Sequence, residues 1–522
     1  MDFQVPSDSG QASERSTCAM WRLEAVVFAA GAGTLSTEIA ASRLLAPYFG
    51  NSTVVWANII GLILVYLSLG YWLGGKLADR TPRPALLGGI VLASAAFIAA
   101  TPFVARPILD AALRGFDSIS VGVVVGSFIA ALALFAVPVT LLGAVSPFAI
   151  RLALTDVERA GTIAGRLYAL STVGSIIGTF VSALVAIEAF GTQRTMVGTA
   201  ALLAGSSVLL IGRRAIPAAF AVLALLLVPP GAVKATPGLL FEKESPYQYV
   251  SVVQWQDGTR VLQLNEGVAY HSMWRRGSVL TGEYWDLFDM LPPLLGHTAH
   301  DMLVIGNAGG TIARAYGRFY PDISIDGVEL DPSVTAAGRR FLGLDDNPRL
   351  HVHTADGRPF LDGSHRQYDL IVVDAYRQPY VPFYLATREF FALARRHLRP
   401  GGIIALNIAK VPGDDRLSRA IETTLLAAFP QAWRWPALRF SNLVFAVDRP
   451  VQRSVLTRRT SKVRGRLRTL RPLFSRELVH ARSDGQLLTD DRAPVEWLTD
   501  RMLLKQIARG GGLDERELPT AP

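Results

Sequence analysis

DMLVIGNAGG (301–310), ISIDGVELDP (323–332), LHVHTADGR (350–358) and YDLIVVDAY (368–376) follow one another in that order. Each is a short run that stops at a glycine turn or an acid. Runs of four to six apolar residues, separated by helical stretches, are the pattern of parallel strands covered on both faces. In an open α/β sheet a ligand lies across the carboxyl ends of the strands, so polar residues at successive ends outline a cleft and not a core. After the first run, Gly306, Gly309 and Gly310 form a turn that opens into IARAYGRFY, and the amides at such a helix start favour anionic or electron-rich groups. Alone, a glycine turn of this kind is as often structural as ligand-binding.

The acids narrow the reading. Glu329 closes the second run about twenty residues after the turn, the position from which a carboxylate accepts both hydroxyls of a ribose. Asp356 closes the third and is placed to accept from an adenine amino group. Asp374 closes the fourth, after the wholly apolar LIVV, and faces the reactive end of such a ligand. Any one of them also suits a helix N-cap. Together they describe a site for S-adenosylmethionine or a close relative.

Upstream, YQYVSVVQW and TRVLQLN alternate in polarity and flank an Asp-Gly turn, which predicts a β-hairpin. The expected soluble layout is a β-hairpin subdomain over 240–295, a Rossmann-like α/β domain over 296–450, and a basic segment over 451–522 that contains TDDRAP.

The first part of the chain is different in kind. The 522 residues have a mean hydropathy of +0.30, and the apolar excess precedes Pro230. After a polar stretch over 1–21, residues 22–230 run in apolar blocks long enough to cross a bilayer. An all-α bundle of about seven spans is expected: Leu23 to Ala41, Val54 to Leu73, Leu86 to Val104, Val121 to Leu142, Leu167 to Ala189, Thr195 to Ile211 and a short Ile216 to Val228. A cell-membrane, multi-pass protein in contact with lipid follows. Lys76, Arg80 and Arg83, then Arg151, Arg159 and Arg166, then Arg213 and Arg214 mark cytoplasmic connections. Seven full spans then place the soluble half outside, whereas a ligand made in the cytosol asks for a cytosolic domain. The cytosolic placement is the expectation carried forward. Glu38, Arg43 and Asn58 are polar groups inside spans, readable as a locking pair or as a cation path.

A single cysteine, Cys18, excludes an internal disulfide, and the eight histidines show no metal-ligand spacing, so no metal is expected. The net charge of +9 concentrates in loops and in Arg453 to Arg482, with few aromatics between. That favours a solvated or lipid-facing surface over nucleic-acid binding.

Residues from Glu244 to about Trp497 resemble the spermidine synthase family of polyamine aminopropyltransferases, in particular bacterial forms with an N-terminal membrane domain. The resemblance rests on SPYQYVSV, GVELDP, TADGR, VVDAY and LLTDDRAPVEWL. It implies a β-hairpin domain on a Rossmann-like sheet, and aminopropyl transfer from decarboxylated S-adenosylmethionine to a diamine such as putrescine, releasing methylthioadenosine. By that resemblance Gln248 contacts the nucleoside, Glu329 binds ribose, Asp356 and Gly357 hold adenine, and Asp374 accepts the proton. A homodimer through the soluble domain is a further expectation.

The amine half of the pattern departs from the family. NAGG lacks the usual aspartate, Arg377 stands where the family has a second strand-end acid, and Tyr284, Trp285 and Asp286 replace Tyr-His-Glu or Tyr-Gln-Glu. Tyr270, Tyr284, Trp285, Tyr376 and Tyr380 offer ring faces for an amine, or simply pack the hairpin on the sheet. Asp490, Asp491 and Glu496 are candidates to replace the missing acids. GGKLADRTPR (74–83) resembles one loop of major facilitator transporters. Two other readings therefore stand: a methyl- or alkyltransferase acting on another substrate, and a transporter or sensor with a non-catalytic nucleoside- or polyamine-binding domain.

Overall fold

The computed structural model describes residues 9–50, 53–114, 125–154, 156–229, 231, 233–234, 236–267, 269–376, 380–508, 518 and 520. The chain divides into two compact units, Met1–Ala235 with Glu244–Tyr249, and Thr236–Lys243 with Val250–Pro522.

The first unit is helical: α1 (Ser9–Phe49), α2 (Thr53–Arg80), α3 (Pro84–Arg114), α4 (Ser127–Gly143), α5 (Val145–Ala153), α6 (Ala160–Val181), α7 (Ile187–Ile211) and α8 (Ile216–Ala224). Among the described residues five helical runs are long and apolar enough to cross a membrane, so the count of about seven is not confirmed on length and composition. The difference has two physical sources. One run, Val157–Ile211, covers two of the expected spans, which adjoin at Gly191 with no intervening loop. The seventh, α8, has nine residues, about 14 Å of helix against the roughly 30 Å of a hydrocarbon core.

Small residues set the helix directions in this unit. A Cβ at Gly174 would strike Phe28 O, one at Gly178 would strike Ala32 O, and Ser182 Oγ donates to Ser36 Oγ, so α6 runs parallel to α1. At Gly191 the backbone leaves helical geometry, with φ +82 and ψ 165. Beyond it Thr199 meets Ser36, and Leu203 sits against Gly33, so α7 runs antiparallel to α1. The 55-residue run is therefore a helical hairpin. The basic connections gather at one end, where Arg166 pairs with Glu24 and Arg151 with Asp79. Val233 and Ser245 lie at the other end, accepting from Tyr48 Oη and Arg43 Nη1. Arg43 thus serves carbonyls of the segment after the helices, and Asn58 donates to Ser127. Outward faces carry Leu64, Trp72, Phe180, Phe190 and Phe220, each more than half exposed, as suits hydrocarbon and not water.

The second unit begins with a four-stranded antiparallel sheet, β1 (Leu239–Glu244), β2 (Tyr249–Gln254), β3 (Arg260–Leu264) and β4 (Tyr270–Trp274), in that order. The expected hairpin is β2 and β3, turning where Gly258 takes φ +81. Eight strands follow in a second sheet: β5 (Asp301–Ile305), β6 (Ser324–Glu329), β7 (Leu350–Thr354), β8 (Tyr368–Val373), β9 (Leu398–Ala409), β10 (Gln431–Trp435), β11 (Ser441–Val447) and β12 (Val479–His480). Their order is β12-β10-β11-β9-β8-β5-β6-β7, with β5 to β9 parallel and β10 to β12 antiparallel at one side. Helices α9 (Thr311–Phe319), α10 (Pro332–Phe341), α11 (Gly357–Asp362), α12 (Arg388–Arg396), α13 (Arg416–Ala428) and α14 (Val495–Ala508) connect or cover the strands. Apolar side chains of β5 and β8 alternate between two cores, Met302, Val304, Leu370 and Val372 on one face and Leu303, Ile305, Ile371 and Val373 on the other. That explains why these strands read as unbroken apolar runs.

Candidate functional site

Register brings the expected tips together. Ile305 lies beside both Val328 and Val373, Glu329 beside Thr354, and Val373 beside Leu406. The residues immediately past β5, β6, β7 and β8 therefore share one edge of the sheet.

The turn after β5 is tight for packing reasons. Gly306 takes φ +85, and a Cβ there would lie 2.5 Å from Ala375 Cα and 2.6 Å from Asp374 O. Gly309 is pressed against Ser272, whose Oγ accepts from its amide at 2.8 Å, and Gly310 takes φ +83 against Leu344. Ala308 adopts φ +45, which costs an L-residue energy unless its surroundings hold it there. Glu329 does so: its Oε2 accepts from Ala308 N at 3.0 Å and its Oε1 from Asp331 N at 3.0 Å. Glu329 is 9% exposed, and burial pushes its carboxyl up to about 7 against the pull of these amides. Two of roughly four lone-pair positions are used, leaving acceptor capacity toward the edge.

Asp356 is an N-cap. Its Oδ1 accepts from Arg358 N at 3.0 Å and its Oδ2 from Tyr384 Oη at 3.0 Å, so the structural role considered for this acid is present. Gly357 lets α11 approach β5, since a Cβ would lie 2.2 Å from Ile305 Cγ2.

Asp374 is in a different condition. Tyr284 Oη donates to its Oδ2 at 3.1 Å and Trp285 Nε1 donates to the same oxygen at 3.2 Å. The two rings lie 4.6 Å apart. Its Oδ1 is sealed from water and has no partner, as is Tyr376 Oη. Burial pushes the Asp374 carboxyl up to about 8, although the Tyr284 and Trp285 hydrogen bonds act to lower it. At neutral pH this group is poised between acid and base, the condition in which a carboxylate exchanges protons with a bound substrate.

Asn307 and Asn407 complete the edge, and neither was singled out as a binding residue from sequence. Both are 5% exposed, both oxygens of Asn307's and Asn407's amides lack partners, and Asn307 lies against Gly327. Asn407 follows Leu406, the neighbour of Val373, so it stands beside Asp374. A lone amide inside GGIIALNIA is the signal that points to it. Buried polar groups normally find partners, so several orphans at one edge indicate a site that awaits them.

Two expected residues are not part of this description. Arg377 lies outside the described residues, and Gln248 belongs to the segment Glu244–Tyr249 of the first unit, where it is 9% exposed and its carbonyl accepts from Ser245. Asp286 is buried and occupied by Thr281 and Gly282. Asp490 is committed to Arg358 at 2.6 Å and to Thr387 at 2.7 Å, which makes TDDRAP a clasp over α11 in place of a substitute amine site. Tyr380 donates to Asp500.

A family model described as the spermine/spermidine synthase domain matches residues 290–434. A probable polyamine aminopropyl transferase of Bifidobacterium longum is 36% identical over 193 residues, 37% of this chain and 42% of that protein. A polyamine aminopropyltransferase of Vibrio vulnificus is 29% identical over 203 residues, 36% of this chain and 64% of that one. The chain thus spans about half the length of these curated relatives. A solved structure of a probable spermidine synthase from Corynebacterium glutamicum aligns with TM-score 0.40 at 17% identity, covering 49% of this chain and 97% of that one. Residues 290–434 thus match the spermine/spermidine synthase domain, and the chain is similar over about 200 residues to proteins named polyamine aminopropyltransferases.

Proposed function

We propose that the soluble half is an aminopropyltransferase of polyamine biosynthesis that takes decarboxylated S-adenosylmethionine as donor. The observation that carries this reading is Asp374, with one oxygen held by Tyr284 and Trp285 and the other unpaired at a strand edge. In the reaction an acceptor amine attacks the methylene beside the donor sulfonium. A C–N bond forms, the C–S bond breaks with its electron pair going to sulfur, and methylthioadenosine leaves as a neutral thioether. The amine proton passes to Asp374, whose raised affinity for protons suits that step. Glu329 accepts from the ribose, and the relatives' printed names supply the substrate class. Gln248, Asp356 and Gly357 stay in the proposal as nucleoside contacts carried by resemblance.

Among the described residues the acceptor side holds Asp374 between aromatic donors, with Tyr376 beside it. A single carboxylate recognises one ammonium better than a widely spaced pair. The acceptor is therefore an amine, with putrescine one member of the panel to be tried; alkyl or methyl transfer to another substrate is the second reading, favoured by the same shortage of acids and by Arg377 in the sequence. Full-length protein in detergent, offered both forms of the sulfonium donor with a panel of amines, decides by product mass. Methylthioadenosine with an aminopropylated amine supports the first reading, S-adenosylhomocysteine the second, and neither product with any acceptor rejects both.

The helical unit is proposed as a multi-pass membrane anchor. The charge rule puts its basic end in the cytoplasm, and the contacts of Val233 with Tyr48 and Ser245 with Arg43 favour exit of the chain at the opposite face. That favours an extracytoplasmic soluble half over the cytosolic one expected from the donor's origin. A phosphatase or fluorescent reporter fused after Pro522 reads the side directly. A homodimer through the soluble half is part of the proposal, tested by the mass of the detergent-solubilised protein.

A further inference from the structure

A concavity of about 460 Å³ lies in the second unit between the end of β4, the carboxyl half of α9 and the turn Gly465–Leu470. Its charged lining is Arg275, Arg314, Arg318 and Arg466 with one acid, Asp346, and Trp274 is among the apolar walls. It shares no lining residue with the Asp374 edge. Its lining thus carries four arginines and one acid, whereas at the amino end of the large sheet Arg366 and Arg399 face three acids.

Arg314 is the informative member. It is 5% exposed, and its two terminal nitrogens donate to neutral carbonyls, Leu342 O at 2.6 Å and Met273 O at 2.8 Å. Its Nε is buried and has no partner, and the same holds for Arg275 Nε. Burial costs this guanidinium enough to bring it down to about 10, with Asp346 acting the other way. A buried charge without an adequate counter-ion is costly unless an anion completes it. Arginine forks match the oxygens of phosphate in shape as well as charge. The volume falls within the range of small-molecule sites, so it admits more than an inorganic ion.

We propose that this pocket binds the phosphate group of an anionic ligand, with Arg314 as its buried charge, Arg275 half-buried beside it, and Arg318 and Arg466 as its exposed donors. The chemistry fits a free organic phosphate and a phospholipid headgroup alike.

The test uses full-length protein in detergent and in nanodiscs. Calorimetric titration with adenosine monophosphate and with inorganic pyrophosphate, at matched ionic strength against chloride, measures binding in the wild type and in Arg318→Glu and Arg466→Glu. Both changed side chains are exposed, so the fold is expected to survive, and thermal melting checks it. The expected result is saturable binding weakened about tenfold or more by either reversal and strengthened by Asp346→Asn. Nanodiscs of phosphatidylglycerol against phosphatidylcholine separate the sources: loss of phosphate binding in the former alone identifies a headgroup, and equal binding in both identifies a soluble phosphate. No saturable binding, or the same affinity in wild type and both reversals, overturns the proposal. Methylthioadenosine release by the same variants is expected to be unchanged without added phosphate.

Discussion

The two ends of the eight-stranded sheet hold acids in opposite conditions. At the amino end, Arg366 joins Asp301 and Asp326 at 2.9 and 2.6 Å, and Arg399 joins Asp301 and Asp369 at 2.6 and 2.8 Å. His297 adds to Asp369, and His353 with Tyr368 adds to Asp326. Burial acts to raise Asp369, but the His300 and Asp301 amides, His297 and Arg399 outweigh it and hold the carboxyl below its usual range. At the carboxyl end, burial dominates at Asp374 and Glu329, which rise to about 8 and about 7. Side chains of one type thus stabilise the fold where partners surround them and stay chemically available where partners are withheld. The contrast separates a staple from a site more sharply than burial alone, since all these acids are buried or half-buried.

The sharpest way to break the contrast is Asp374→Asn. Methylthioadenosine release is expected to fall by about 10³ or more, the scale of losing a positioned base. Stability should respond in the opposite sense. A carboxyl raised from about 4 unfolded to about 8 folded holds its proton in the folded state across that window, so the wild type loses stability as pH rises through it. The asparagine variant lacks that loss, so its melting temperature should gain on the wild type from pH 5 to pH 9. In the wild type, turnover should climb with pH and reach half its plateau near 8, as the base form appears.

Asp369→Asn should do the reverse, costing about 2–3 kcal/mol of folding stability, read by denaturant melts, while leaving the rate per folded molecule within about twofold. A depressed carboxyl stabilises above its unfolded pKa, and that stability is lost as pH falls through the folded value, so the variant's deficit should shrink in acid. Glu329→Gln is expected to weaken methylthioadenosine binding by about 10 to 100-fold, 1.4–2.8 kcal/mol, measured by calorimetry. Tyr284→Phe removes a hydrogen bond that lowers Asp374, so the rising limb of the rate profile should move to higher pH with a rate loss under about tenfold. Asp490→Ala, which opens a partly exposed pair, should cost about 1 kcal/mol or less and leave the pH profile in place.

Much of the soluble fold was legible because buried parallel strands write continuous apolar runs, and the acids that end them stand out, as in LIVVD. The hairpin was legible from its Asp-Gly turn. The amino-end staple was not, since Arg366 and Arg399 reach acids between 30 and 98 positions away and no local spacing announces that. Nor was the hydrogen bond from Tyr384 to Asp356, although the N-cap role of that acid could be read from its place before Gly-Arg-Pro. In the helical unit, hydropathy found the apolar material and placed a break between Ala189 and Thr195, where Gly191 leaves helical geometry; the count of about seven is not confirmed, because α8 has only nine residues.

Gly306 has a mechanical consequence. Because the turn after β5 touches the backbone of Asp374 and Ala375 directly, with no side chain between to absorb displacement, the two segments behave as one plate. Anything that rattles residues 306 to 310 should rattle the base by the same amount, and a donor that quiets the turn should quiet the base. Amide exchange at Ala375 ought therefore to slow when only the nucleoside product is added, before any acceptor arrives.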